Sequence, residues 1–104
     1  MGDPTGYTEV TVAQRLASSG VVGDSGKAID LVGYTIKSGG TAALPYFING
    51  TAASGTVAWQ DQARAVSAEQ SIALAYAVRF NKGCYVSFDA NTTAVTVFYR
   101  QMLT

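Results

Sequence analysis

Residues Ile72-Ala73-Leu74-Ala75-Tyr76-Ala77-Val78-Arg79-Phe80 decide the fold class. Large apolar side chains stand at every second position, and small or polar ones fill the positions between. On a helix, Ile72 and Leu74 would lie roughly 200° apart and share no face. On a strand they share one face with Tyr76, Val78 and Phe80. The segment therefore reads as a β-strand. The alanines opposite allow two placements: a face lying close under another sheet, or a flat surface against a neighbouring subunit.

The same reading extends in both directions. Asn81-Lys82-Gly83 is a three-residue loop with glycine at the left-handed position, which predicts a hairpin. Cys84 to Phe88 returns, Asp89 to Thr92 turns, and Thr93 to Arg100 closes a meander. Upstream, Ile29 and Leu31 share one parity, whereas Val32, Tyr34 and Ile36 share the other. The switch at Val32-Gly33 predicts a bulge or bend. Leu44 to Ile48 follows, with Pro45 demoting its start to an edge position. Asn49-Gly50 is a strong hairpin signal, and Thr56 to Trp59 is the next short strand. Asp61 to Gln70, rich in Ala, Gln and Glu, reads equally as a helical turn.

Residues 1–26 differ from the rest. Asp3-Pro4, Gly6, Ser18-Ser19-Gly20, Gly23 and Ser25-Gly26 are loop punctuation. Within them, Tyr7 to Ala17 fits a short strand through Val10 and Val12, or a helical turn through Val12, Ala13 and Leu16. The expected organisation is an N-terminal arm over residues 1–26 and a domain over 27–104. That domain is all-β: a small antiparallel β-sandwich, jelly-roll-like, of about seven or eight short strands. Strand order is not fixed by the pattern, so jelly roll and immunoglobulin-like sandwich both remain open.

Composition bounds the function. The chain has 104 residues, close to one domain of roughly 100–150 residues. Charged residues make up 13%, about half the usual share, and net charge is zero. Either part of the surface is covered in the working state, or the exterior is neutral and rich in Thr, Ser and Gly. The basic residues Arg15, Lys27, Lys37, Arg64, Arg79, Lys82 and Arg100 are scattered singly. Nucleic-acid binding needs a dense basic footprint, so none is expected. The longest apolar run, Ile72 to Val78, falls far short of the ~20 residues that span a bilayer, and the first residues lack the regions of a signal peptide.

Chemistry is sparse. The chain has no histidine, which removes the commonest base near neutral pH and excludes Ser-His-Asp and Cys-His mechanisms. One cysteine, Cys84, allows neither an intrachain disulfide nor a zinc cluster, and it reads as a packed, inert thiol. A glycosidase would need two of the seven carboxylates facing each other across a cleft. Asp89-Ala90-Asn91 is a fragment of a calcium loop but reads as a plain turn. Gly23-Asp24-Ser25-Gly26-Lys27 lacks Walker spacing. Asn49-Gly50-Thr51 and Asn91-Thr92-Thr93 fit the glycosylation pattern and read as turns. The expectation is a protein that is not an enzyme and carries no cofactor or metal. Trp59, with Tyr46, Phe47 and Tyr7, suits a core or an oligomer interface, or else a platform for sugar rings.

Two stretches carry a resemblance. Gly39-Gly40-Thr41-Ala42-Ala43 and Phe47-Ile48-Asn49-Gly50-Thr51-Ala52-Ala53-Ser54-Gly55-Thr56 are one, and Val78-Arg79-Phe80-Asn81-Lys82-Gly83-Cys84-Tyr85-Val86 is the other. Together they resemble small β-sandwich virion proteins of tailed bacteriophages over about residues 30–100. Residues 1–26 lie outside the match, and Cys84 stands where leucine is more usual. The resemblance implies a virion structural role: a capsid cement or decoration protein at symmetry axes between major capsid subunits, a homo-oligomer with a trimer favoured. The partner-binding residues expected on this reading are Tyr7, Val10, Val12 and Leu16 of the arm, with Tyr46 and Trp59. The competing expectation is a fibre, knob or tail module that binds host carbohydrate, with Tyr46 and Trp59 exposed in a groove.

Overall fold

The computed structural model describes residues 11–39, 42–60 and 69–101. The expected arm residues Tyr7 and Val10, and residues 61–68 of the segment Asp61 to Gln70 that allows a helical turn, lie outside them, while Glu69 and Gln70 of that segment are strand. The strands are β1 (Val12–Leu16), β2 (Gly20–Val22), β3 (Ile29–Ser38), β4 (Tyr46–Asn49), β5 (Thr56–Gln60), β6 (Glu69–Phe80), β7 (Cys84–Ser87) and β8 (Thr92–Gln101). The described residues contain no helix, so none is long and apolar enough to cross a membrane.

Two four-stranded antiparallel sheets form a sandwich. Their orders are β1-β8-β3-β6 and β2-β7-β4-β5. First pairs with last, second with seventh, third with sixth and fourth with fifth. That nesting is the jelly roll, as though one long hairpin were rolled up. It selects between the two sandwich types that the strand pattern leaves open. It also places residues 12–22 of the expected arm inside the domain, with β1 in one sheet and β2 in the other.

The core lies between the sheets. Ile29, Leu31, Tyr34 and Ile36 of β3, Phe80 of β6, and Val95 and Val97 of β8 face Val22, Phe47, Cys84 and Val86 across the gap. The rings of Tyr34 and Phe47 meet with centroids 4.9 Å apart and tilted by 43°. Each such side chain contributes on the order of 1.5–3 kcal/mol through burial.

The parity switch in β3 is a bulge, as expected, between Leu31 and Gly33. Gly33 is needed there because a Cβ would lie 2.8 Å from the carbonyl oxygen of Ile72. On the β6 side the irregularity is larger. From Ala73 to Val78, β6 advances five residues while β3 advances only two, from Gly33 to Leu31. The surplus leaves the ladder and breaks the alternation. Ile72, Leu74 and Val78 pack against the core, but Tyr76 is 88% exposed. Ala73, Ala75 and Ala77 are exposed, so they do not lie under a second sheet.

Three local expectations are corrected. Asn81-Lys82-Gly83 does not close a hairpin, because β6 and β7 belong to different sheets; the turn carries the chain across the sandwich. Gly83 is left-handed there, with φ 97°. For the same reason β6, β7 and β8 form no meander, since β8 returns to the first sheet between β1 and β3. Alternation says which side chains turn inward but not which sheet a strand joins. Finally, Pro45 precedes a strand with neighbours on both sides, β7 and β5, so its missing N–H costs the ladder nothing.

Candidate docking edges and groove

Each sheet of an open sandwich ends in strands with one unpaired side. Among the described residues these are β1 and β6 in the first sheet and β2 and β5 in the second. Among the described residues, four large apolar side chains are exposed: Val12, Tyr46, Val57 and Tyr76. Three of them stand on edge strands, Val12 on β1, Val57 on β5 and Tyr76 on β6.

The β6 edge is the longest. It runs 12 residues from Glu69, and residues 70–78 carry no charge and no proline. Natural edges are usually guarded by lysine, proline or shortness. Near its end, Arg79 donates to Asp30 across the β3 ladder, Nε to Oδ1 at 2.8 Å and Nη2 to Oδ2 at 3.3 Å.

Beside β6, the outward face of the sheet holds an open groove of about 360 Å³. Thr11, Val32, Thr35, Ser71, Ala73 and Phe98 line it. The Thr35 and Ser71 hydroxyls share a hydrogen bond of 2.9 Å across β3 and β6, so their polar atoms are satisfied within the wall. The groove offers an apolar surface rather than reactive groups.

Of the six residues expected to bind partners, the four described ones, Val12, Leu16, Tyr46 and Trp59, do not converge. Val12 is exposed on β1, paired with Tyr99, while Leu16 packs against the core. Tyr46 is exposed on β4. Trp59 pairs with Phe47, packs against the core and donates its indole N–H to the Tyr34 hydroxyl at 2.8 Å. Since Tyr46 adjoins Phe47 in the strand, Tyr46 and Trp59 point to opposite faces of the second sheet. Tyr76, Val57, Val32 and Phe98 were not legible as surface. Alternation alone places Tyr76 inside with Ile72 and Phe80, and only the surplus residues of β6 turn it out.

The remaining motifs serve the fold. Burial pushes the Cys84 thiol up to about 12. Asp89 caps a turn: its carbonyl accepts from the Thr92 N–H at 3.3 Å, and its carboxylate accepts from the Thr92 hydroxyl. The Gly23 N–H donates to Gln14 Oε1 at 2.7 Å and the Asp24 N–H to Gln101 Oε1 at 2.7 Å, which fastens the loop after β2 to β1 and β8. The Asn49 amide donates to Asn81 Oδ1 at 2.8 Å and accepts from the Lys82 N–H at 2.9 Å, as a turn residue does. Among the described residues, no three His, Cys, Asp or Glu side chains are grouped to hold a metal.

No protein-family model, no curated protein and no solved structure matches this chain.

Proposed function

We propose that this chain is a structural protein of a bacteriophage virion, a capsid cement or decoration protein that bridges major capsid subunits. One observation carries the reading: exposed large apolar side chains sit on open strand edges in both sheets, Val12 and Tyr76 in one and Val57 in the other. A bridging protein needs more than one docking surface. An open edge supplies main-chain donors and acceptors as well as apolar area. Repetition of modest contacts over a capsid lattice then gives avidity. The low charge and the phage-like turn motifs point the same way. The jelly roll itself does not choose, because capsid domains, lectins and cupins share it. The carbohydrate reading is disfavoured because it needs Tyr46 and Trp59 together in one groove.

The test is co-sedimentation of the purified protein with undecorated heads of its phage. Saturable binding at a fixed number of copies per capsid is expected, weakened by Val57→Asp and Val12→Asp in folded protein. If the chain stays in the supernatant and binds instead on a glycan array, the cement reading is replaced by the carbohydrate one.

A further inference from the structure

We infer that Asn49 is the chain's site of spontaneous deamidation, and that the turn between β6 and β7 holds this reaction off while the fold stays closed. The inference concerns the chain's own chemistry and stands apart from the capsid reading.

The sequence supplies the reactive pair. The asparagines are Asn49, Asn81 and Asn91, and they precede glycine, lysine and threonine respectively. Deamidation begins when the backbone nitrogen of the next residue attacks the asparagine Cγ. A following glycine has no Cβ to crowd that approach. The step balances without an oxidant or a reductant. The Gly50 nitrogen gives its proton to water or hydroxide and bonds to Cγ. The Cγ–Nδ2 bond breaks, and Nδ2 takes a proton and leaves as ammonia. Water then opens the five-membered imide at one of its two carbonyls, which yields aspartate or isoaspartate.

The fold engages both reacting groups. Asn49 ends β4 and pairs with Cys84 of β7 on one side and Thr56 of β5 on the other. Its Oδ1 accepts from the Lys82 backbone N–H at 2.9 Å. A backbone N–H can only donate, so this contact fixes which way the amide faces. Nδ2 therefore turns to Asn81 and donates to its Oδ1 at 2.8 Å. The nucleophile is held as well, because the Gly50 N–H donates to the Gly83 carbonyl at 3.0 Å. Ring closure takes the proton off Gly50 and Nδ2 off Asn49, so the bonds to Gly83 and Asn81 are both lost. All three partners belong to one turn, Asn81-Lys82-Gly83. The loop after β2 backs that turn, since the Gly26 nitrogen lies 3.2 Å from where a Gly83 Cβ would stand.

Conversion is irreversible and weakens its own guard. An aspartate at position 49 has no side-chain N–H for Asn81 and sets a carboxylate against the Asn81 carbonyl. An isoaspartate also adds a methylene to the main chain between two paired neighbours. A chain that opens at this end is marked, whereas a chain that stays closed is spared.

The experiment incubates the purified full-length protein in mildly alkaline buffer, native and in denaturant, and follows each asparagine by peptide mapping with mass spectrometry. In denaturant Asn49 should convert well ahead of Asn81 and Asn91. In the native protein Asn49 should convert at least about tenfold more slowly, because only the open fraction reacts. Asn81→Ala, with an unchanged circular dichroism spectrum, should raise the native rate by about two- to tenfold, the worth of one hydrogen bond. Asn81→Asp keeps an acceptor for Nδ2 and should stay near the unmodified rate. Should Asn81→Ala fail to fold, the second measurement is the native rate at rising urea below the unfolding transition, which should climb with the open population. Equal rates for Asn49 in native and denatured protein overturn the inference. So does conversion in denaturant that favours Asn81 or Asn91, a native rate indifferent to both Asn81 variants and to urea, or equal acceleration by Asn81→Ala and Asn81→Asp.

Discussion

The indole N–H of Trp59 on the edge strand β5 donates a 2.8 Å hydrogen bond to the hydroxyl of Tyr34 on β3, and so joins the two sheets. The tyrosine is fully buried, and its ring also meets Phe47. Removing the donor loses a hydrogen bond worth about 0.5–1.5 kcal/mol. Trp59→Phe should therefore cost about 1 kcal/mol. That corresponds to a fall in Tm of about 4–8 °C for a domain near this size. Tyr34→Phe should show a similar loss. In a double-mutant cycle by denaturant unfolding the two losses should be strongly non-additive. Additive losses would mean that the bond carries no coupling.

The Cys84 thiol, held up at about 12 by burial, should be inert at neutral pH. Ellman's reagent should leave the native protein unmodified and titrate one thiol per chain in denaturant. Because the folded value is raised, the folded state keeps its proton where the unfolded thiol, near about 8.5, has lost it. This contribution is complete below about pH 8.5 and fades as pH rises towards 12. Urea midpoints should fall over that alkaline range, and less so in Cys84→Ala.

Asp89 has the opposite sign. Partial burial pushes its carboxyl up, but hydrogen bonds from the Thr92 hydroxyl and from the backbone N–H groups of Leu44, Asn91 and Thr92 outweigh this and hold it below the usual range. The contribution is therefore present above the unfolded value of about 3.9 and is lost as pH falls through the folded value. Asp89→Asn should flatten the acid limb of the stability curve. An unchanged limb would show that Asp89 does not contribute.

Gly33 sits where β3 changes parity, with the Ile72 carbonyl oxygen 2.8 Å from where a Cβ would be. The nearest atoms are all backbone of Ile72 and Ala73, which leaves little to yield. Gly33→Ala should destabilise by about 1–3 kcal/mol, typical of overpacking. Thermal unfolding would check this, and a neutral result would mean that the bulge relaxes freely.

Much of this architecture is legible in the residues. The strands through Tyr34, Phe47, Phe80 and Val97 announce themselves by alternation, and Val32-Gly33 announces the bulge. What alternation does not reveal is sheet membership. A tight turn such as Asn81-Lys82-Gly83 serves a hairpin and an inter-sheet crossing equally well. The candidate surface is less legible still. Tyr76 carries the pattern of a core residue, and its exposure follows from a mismatch in length between β3 and β6 that becomes visible only once the two are paired. Trp59 shows the converse, because its aromatic character suits a platform, yet its N–H finds the buried Tyr34.

The nesting of first strand with last has a consequence for how the chain is made. Leu16 and Val95 face each other although 79 positions separate them in sequence. A ribosome releases β1 long before its partner exists, so β1 waits while everything between is synthesised. Contacts of this range also make folding slow, because the intervening loop must close before the pairing is rewarded. The newborn chain consequently spends the interval before β8 is made with strand edges uncovered, which is when aggregation competes with folding.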